Sequence, residues 1–306
     1  MKTNRRKFLK ISLAGSGVAL LAGQEHLYAG LWNFGRKPKP VADLSGLDWK
    51  GDAFLRETAM LGFASITAGK TFYEQFKNRP GELKNLLSNL GISKWIFHAG
   101  VLPFNVSEMP EQLELLKKYA AFAKPAGATQ IVFSSEKRDS YPPGKAKLSK
   151  LALALEQVAA MPGCPELLLE NSMHSICQTA DELEFCISQC TSGKVKMLAD
   201  LAMLMQSGND PTEFLLRMKR KASIIRLNDL TRPVKGFAGS NERNYRIEPA
   251  GKGNTMDFKK MADALKSIRF HGPVLIGNTS PASADREILN SLKEGIGFLR
   301  RERILR

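Results

Sequence analysis

Five short apolar runs in this chain lead into residues that can do chemistry. Lys94-Trp95-Ile96-Phe97 leads into His98, Leu167-Leu168-Leu169 into Glu170 and Asn171, and Met197-Leu198-Ala199 into Asp200. Ile224-Ile225 leads into Arg226-Leu227-Asn228-Asp229, and Val274-Leu275-Ile276 into Gly277-Asn278-Thr279. Two carboxylates brought together bind a divalent cation or divide acid and base duties between them. Imidazole exchanges protons near neutral pH, and a guanidinium grips carboxylate or phosphate through two parallel hydrogen bonds. His174 follows Glu170 by four residues and offers a second imidazole. Taken singly, each of these positions is equally an ordinary strand end or helix cap.

The elements between them decide whether they meet. The runs at 61–67, 94–98, 130–133, 166–170, 195–200, 223–227 and 273–276 read as strands, with a weaker one at 41–47. Helical patterns fall between them, at 81–90, 108–124, 145–160, 179–190, from 210 onward, at 256–268 and at 284–301. Thr179 and Glu182 have the spacing of a capping box, and Pro211 suits a first helical turn. Repeated strand–helix units imply a parallel sheet, and eight of them in this length fit a closed (β/α)8 barrel, a TIM barrel in one α/β domain. The alternative, an open doubly wound sheet, would more often carry a glycine-rich phosphate loop after an early strand. In a barrel the C-terminal strand ends form one mouth, where His98, Glu170, Asp200 and Arg226 would gather.

From about residue 61 to 305 the chain resembles the xylose-isomerase-like barrels, which include sugar phosphate isomerases and epimerases. The likeness rests on Leu167-Leu168-Leu169-Glu170-Asn171, on Met197-Leu198-Ala199-Asp200 with Gly208-Asn209-Asp210-Pro211, on Ile224-Ile225-Arg226-Leu227-Asn228-Asp229 and on Gly251-Lys252-Gly253-Asn254-Thr255-Met256-Asp257-Phe258. The resemblance implies a divalent ion (Mn, Mg, Co or Zn) held by Glu, Asp, His and Glu at four strand ends. Glu170 and Asp200 match the first two positions, Arg226 stands where the family has His, and Gly277 or Asn278 where it has Glu. A guanidinium has no lone pair for a metal. Either the site works without metal, with Arg226 paired to a carboxylate in the ion's place, or it recruits another ligand, His174 or Asp229. The resemblance then implies proton transfer next to the carbonyl of a carbohydrate or sugar acid. Glu170 or Asp200 would be ligand or base, His98 or His174 the proton-transfer partner, and Arg226 the anion or enolate holder. Asn171 and Asn228 would contact substrate. The alternative is a carbohydrate-binding protein on a degenerate barrel, without catalysis. A weaker reading is phosphodiester cleavage, since related barrels cut DNA; those use several histidines, and this chain has four in all.

Charge and termini bound the setting. Forty-five Lys and Arg face thirty Asp and Glu, a formal charge of +15. The basic residues are spread along the chain without a nucleic-acid motif, so anionic sugars or a cell envelope are the expected partners rather than nucleic acid. The segment 230–252, with Arg232, Lys235, Arg243, Arg246 and Lys252, reads as a loop over the mouth that captures an anionic group or as a solvated charge run. Residues 1–29 carry Arg5-Arg6, a weakly apolar stretch at 11–23 and Ala29 as a cleavage point, the layout of a twin-arginine signal peptide. That predicts contact with the twin-arginine translocase and a periplasmic destination, with the signal cut off or kept as an anchor. Residues 30–40 read as a linker and 41–306 as the barrel. The cysteines (Cys164, Cys177, Cys186 and Cys190) suggest neither a disulfide framework nor a zinc site.

Overall fold

The computed structural model describes residues 38–47, 50–102, 109–135, 144–218, 221–232, 245–277 and 285–305. Residues 1–29, read above as a signal peptide, and most of the stretch read as a linker lie outside them, as do Asn278 and Thr279. Eight parallel strands close into a barrel: β1 (Pro40–Leu44), β2 (Ser65–Ala68), β3 (Lys94–Leu102), β4 (Ala128–Ser135), β5 (Glu166–Glu170), β6 (Val195–Asp200), β7 (Ala222–Arg226) and β10 (Val274–Ile276). The weak first strand is the closing one. Its Ala42 pairs with Ile66 of β2 on one side and with Ile276 of β10 on the other. A two-stranded antiparallel hairpin, β8 (Asn228–Thr231) with β9 (Arg246–Pro249), follows β7 directly.

Alternate residues of a strand share a face, so the barrel interior is built in layers. The middle layer is apolar: Val41, Ile96, Val132, Leu168, Leu198, Ile224 and Leu275, one from each of seven strands, form a buried cluster. Two residues on from each toward the C-terminal end stand Asp43, His98, Ser134, Glu170, Asp200, Arg226 and Gly277. The chemistry of the mouth is therefore one pleat above the core. Below the core, Gln130 Nε2 donates to Glu166 Oε1 (2.6 Å) and Ser223 Oγ (3.0 Å), and Lys196 Nζ pairs with Glu166 Oε2 at 2.5 Å. This self-satisfied polar layer closes the N-terminal end.

Helices cover the outside. They are α1 (Gly51–Met60), α2 (Lys70–Phe76), α3 (Pro80–Asn89), α4 (Met109–Ala123), α5 (Lys145–Ala159), α6 (Ala180–Ser188), α7 (Leu201–Gln206), α8 (Pro211–Met218), α9 (Phe258–Ser267) and α10 (Asp285–Arg301). The capping box on α6 is present: Glu182 N donates to Thr179 Oγ1 (3.3 Å) and Thr179 N to Glu182 Oε2 (2.8 Å). Sequence periodicity does not reveal α1, α2 or α7. α7 is almost wholly apolar, Leu-Ala-Met-Leu-Met-Gln, and carries no amphipathic signal because Leu201 to Leu204 are all buried.

Candidate active site at the barrel mouth

Arg226, at the end of β7, puts its guanidinium at the centre of the mouth. Its Nε donates to Asp43 Oδ2 at 2.8 Å, and its Nη1 donates to Asp200 Oδ2 at 3.2 Å and to Glu170 Oε1 in a close contact. The three carboxylates come from β1, β5 and β6, and each side chain is only 4% exposed. One cation thus serves three buried anions. Nη2 has no partner among the described residues, so the guanidinium keeps one donor edge for a ligand.

The neighbours are fixed by hydrogen bonds. Asp43 also accepts from Thr67 Oγ1 (2.6 Å) and Ser45 Oγ (2.7 Å). Glu170 accepts from Ser134 Oγ (3.0 Å), and His98 Nε2 lies 2.9 Å from Glu170 Oε2. The Gly100 N–H donates to His98 Nδ1 (3.1 Å), so the ring proton belongs on Nε2 and is shared with Glu170. His98 is therefore a donor to Glu170 in this arrangement, not a free base. Asn171 uses both ends of its carboxamide on the Asp200 backbone, Nδ2 to O at 3.0 Å and Oδ1 from N at 2.8 Å. It locks β5 to β6 rather than facing the cavity with a free group. Asp200 Oδ1 in turn caps α7, accepting from Met203 N at 3.0 Å.

These surroundings separate the carboxyls. Burial pushes Glu170 up, but Arg226 and then His98 and Ser134 outweigh it and hold it down at about 2. Asp43 is likewise lowered: burial opposes, and Arg226, Thr67 and Ser45 prevail. Asp200 is raised, by burial first; Arg226 pulls it down, the Glu170 charge pushes it back up. Two adjacent carboxyls shifted in opposite directions from their ordinary values mark an ionised partner and an acid–base partner.

The other expected site residues lie elsewhere. His174 is exposed, in a left-handed turn (φ 62°) held by a bond from its backbone N–H to Gln178 Oε1 at 3.0 Å. Asp229 is 2% exposed and spends Oδ1 on the backbone N–H groups of Leu230 (2.7 Å) and Met256 (3.2 Å). It staples the hairpin to Met256, just past the Gly251–Gly253 turn, where a Cβ on Gly253 would stand 2.4 Å from the Leu230 carbonyl oxygen. Arg246 is exposed and pairs with Glu248, and Lys252 pairs with Glu294 of α10 at 3.1 Å. Neither lines the mouth. The segment read as a loop over the mouth holds the end of β8 and all of β9; Lys235 and Arg243 lie outside the described residues. Asn228 does line the mouth. Sequence reading missed Asp43, although Val41-Ala42-Asp43 repeats the apolar–x–acid pattern of Leu168-Leu169-Glu170 and Leu198-Ala199-Asp200. Gly277 (φ 145°) leaves room for it, since a Cβ there would lie 3.2 Å from the Asp43 carbonyl oxygen.

The cavity above this cluster measures about 300 Å³ and is walled by His98, Ser172, Met203, Arg226, Asn228 and Ile247, among others. It does not suit a divalent cation. The carboxylate oxygens facing one another are already taken by the guanidinium, and His98 presents a proton rather than a lone pair. Among the described residues no three His, Cys, Asp or Glu side chains are disposed to hold a metal. What the arrangement offers is acid–base chemistry beside a fixed positive charge.

A closed parallel barrel with acids gathered at its C-terminal mouth belongs to the α/β-barrel class whose sites sit at strand ends. The family model described as "Xylose isomerase-like TIM barrel" matches residues 55–302, and the chain belongs to that family. Inosose dehydratase of Geobacillus kaustophilus (strain HTA426) is 24% identical over 221 residues, covering 67% of this chain and 70% of that protein. D-psicose 3-epimerase of Clostridium cellulolyticum H10, solved with D-tagatose, superposes with a TM-score of 0.68 at 15% identity over 86% of this chain and 98% of its own. The IolI protein, solved with a bound zinc atom, gives a TM-score of 0.68 at 17% identity over the same shares. The protein is a xylose isomerase-like TIM barrel.

Proposed function

We propose that this protein moves a proton at the carbon next to the carbonyl of a carbohydrate, giving isomerisation, epimerisation or dehydration, and that Arg226 does the work of the cation. The observation that carries this reading is the pair Glu170 and Asp200, driven apart in proton affinity on one guanidinium at the floor of a cavity. In this reading ionised Asp200 takes the C–H proton and returns it to a neighbouring position. The negative charge that grows on the carbonyl oxygen meets Arg226 Nη2, a donor set in place before the reaction. Glu170 stays ionised and keeps Arg226 oriented, while His98 steadies Glu170. Dehydration follows where the proton passes instead to a leaving hydroxyl. The family match and the dehydratase and epimerase relatives support the substrate type.

The test is hydrogen–deuterium exchange. Neutral ketoses, aldoses and cyclitol ketones are incubated with the protein in deuterated water and followed by NMR. Exchange at a single carbon beside the carbonyl, lost in Asp200→Asn and strongly reduced in Arg226→Lys, is expected. Exchange that survives Asp200→Asn overturns the mechanism. Binding of a sugar with no exchange at all favours the alternative, a carbohydrate-binding protein. We also propose that the barrel is exported folded by the twin-arginine route, on the strength of Arg5-Arg6, the apolar stretch after them and Ala29. N-terminal sequencing of the exported protein should start at Gly30, and a chain that stays in the cytoplasm refutes this.

A further inference from the structure

The polar groups of the mouth fall into two sets. Asp43, His98, Ser134, Glu170, Asn171 and Asp200 all have their hydrogen bonds within the protein. Asn228 does not. The residue lines the cavity and is 4% exposed, and its Oδ1, shielded from solvent in this rotamer, has no hydrogen-bond partner. Asn171 and Asn228 are the same residue type on the wall of one cavity, yet only Asn171 is spent on the protein's own backbone. A buried amide left unpaired carries a desolvation cost unless something entering the cavity satisfies it. A half-turn about χ2 exchanges Oδ1 and Nδ2, so this amide can meet a hydroxyl as acceptor or as donor.

Charge sets what can enter. Asp43, Glu170 and Asp200 line the cavity against a single guanidinium, so the described lining is net negative even with Asp200 protonated. Arg226 is committed to those carboxylates through Nε and Nη1, and its remaining Nη2 edge, whose charge they already balance, is left to a ligand's carbonyl oxygen. Arg246 and Lys252, the described basic residues that would have gripped an anion, turn to Glu248 and Glu294 instead. Lys70, exposed near Gly100, does not line the cavity.

Taking the mouth as the sugar site proposed above, we infer that it selects an uncharged polyhydroxy ligand over its phosphorylated or carboxylated form, and that Asn228 is the specificity-determining residue that reads one ligand hydroxyl. A second negative charge would enter a dry, already negative cluster, whereas a hydroxyl supplies the partner Asn228 lacks.

Matched probes test this: D-fructose with D-fructose 6-phosphate, D-glucose with D-glucuronate, and myo-inositol with its monophosphate, with dissociation constants measured by calorimetry or ligand-observed NMR on the full chain. At least one neutral member should bind at least about tenfold more tightly than its anionic partner. Asn228→Ala should weaken that neutral ligand by about tenfold, roughly the loss of one hydrogen bond. Its melting temperature should hold, because removing an unpaired amide costs the fold little. Asp43→Asn, with one negative charge fewer, should narrow the gap between neutral and anionic probes. Equal or tighter binding of the anionic forms, binding of no probe, or an Asn228→Ala variant that binds like wild type overturns the inference. The two proposals fail separately. Exchange on a phosphorylated sugar would sink this one and keep the proton-transfer reading, and neutral-sugar binding without exchange would do the reverse.

Discussion

Removing the charge of Arg226 is the most informative single perturbation. In Arg226→Ala, three carboxylates with 4% exposed side chains lose their common counter-ion. Each contact at about 3 Å is worth roughly 5 kcal/mol of gross attraction at an effective dielectric of about 20, most of it cancelled by the cost of desolvation. What counts is the penalty of leaving charges buried and unpaired, about 3–5 kcal/mol when one partner of a buried pair is deleted. At about 2–4 °C per kcal/mol, that lowers the melting temperature by roughly 6–20 °C. Truncation also empties the space the guanidinium fills, so the variant should acquire what the wild type lacks, a site for a divalent cation. A cation at a hundred times its dissociation constant returns about 2.7 kcal/mol, half or more of the loss. The assay is thermal melting with manganese, zinc or magnesium and with chelator, paired with elemental analysis. Wild type should be indifferent to both additions, and Arg226→Ala should melt early, recover with a cation and bind one ion per chain. Two results refute the reasoning: an Arg226→Ala protein that melts with the wild type and ignores cations, or a wild type that loses a stoichiometric ion and stability to chelator.

Further predictions follow from the same contacts. Glu170 sits at about 2 in the fold against an ordinary 4.5, so its contribution is present above the ordinary value and is lost as pH falls toward 2. That amounts to about 3 kcal/mol, and urea midpoints of Glu170→Gln between pH 5 and 2 should fall less steeply than those of wild type. Asp200 shifts the other way, so the acid limb of any turnover profile should lie above that of an ordinary aspartate and vanish in Asp200→Asn, as rates measured across pH would show. Thr179→Ala removes the capping box of α6 and should cost about 1 kcal/mol in a denaturant midpoint without touching ligand binding. Gly277→Ala forces a side chain onto φ 145° and to within 3.2 Å of the Asp43 carbonyl oxygen. It should destabilise the barrel by about 1–3 kcal/mol and weaken ligand binding by displacing Asp43.

The parts of the fold that were readable share a physical cause. β5 and β6 run over the residues expected, Glu166–Glu170 and Val195–Asp200, because strands buried on both faces appear as unbroken apolar runs ending in polar residues. The Thr179 cap was legible because a capping box is local chemistry. β2 was expected at 61–67 and lies at Ser65–Ala68, since Leu61 and Gly62 finish the preceding helix. The hairpin β8–β9 was read as a loop because its strands are four residues each and separated by a long connection. The roles suggested for Asp229, Asn171, Arg246 and Lys252 followed from position in sequence, and their partners, all supplied by the fold, turned them to stapling, locking and surface pairing.

By itself, then, the sequence determined the α/β barrel and the members Glu170, Asp200, His98 and Arg226 of one mouth, because an eight-fold strand–helix alternation leaves a chain few other ways to bury its apolar runs. Only the tertiary structure decided how those groups are used. It brought Asp43 from the strand that closes the barrel, 183 residues from Arg226, to share one guanidinium with Glu170 and Asp200. It spent Asn171 on the backbone and left Asn228 without a partner. Proton affinities and unpaired atoms depend on distances of about 3 Å between distant segments, and no spacing along a chain encodes those directly.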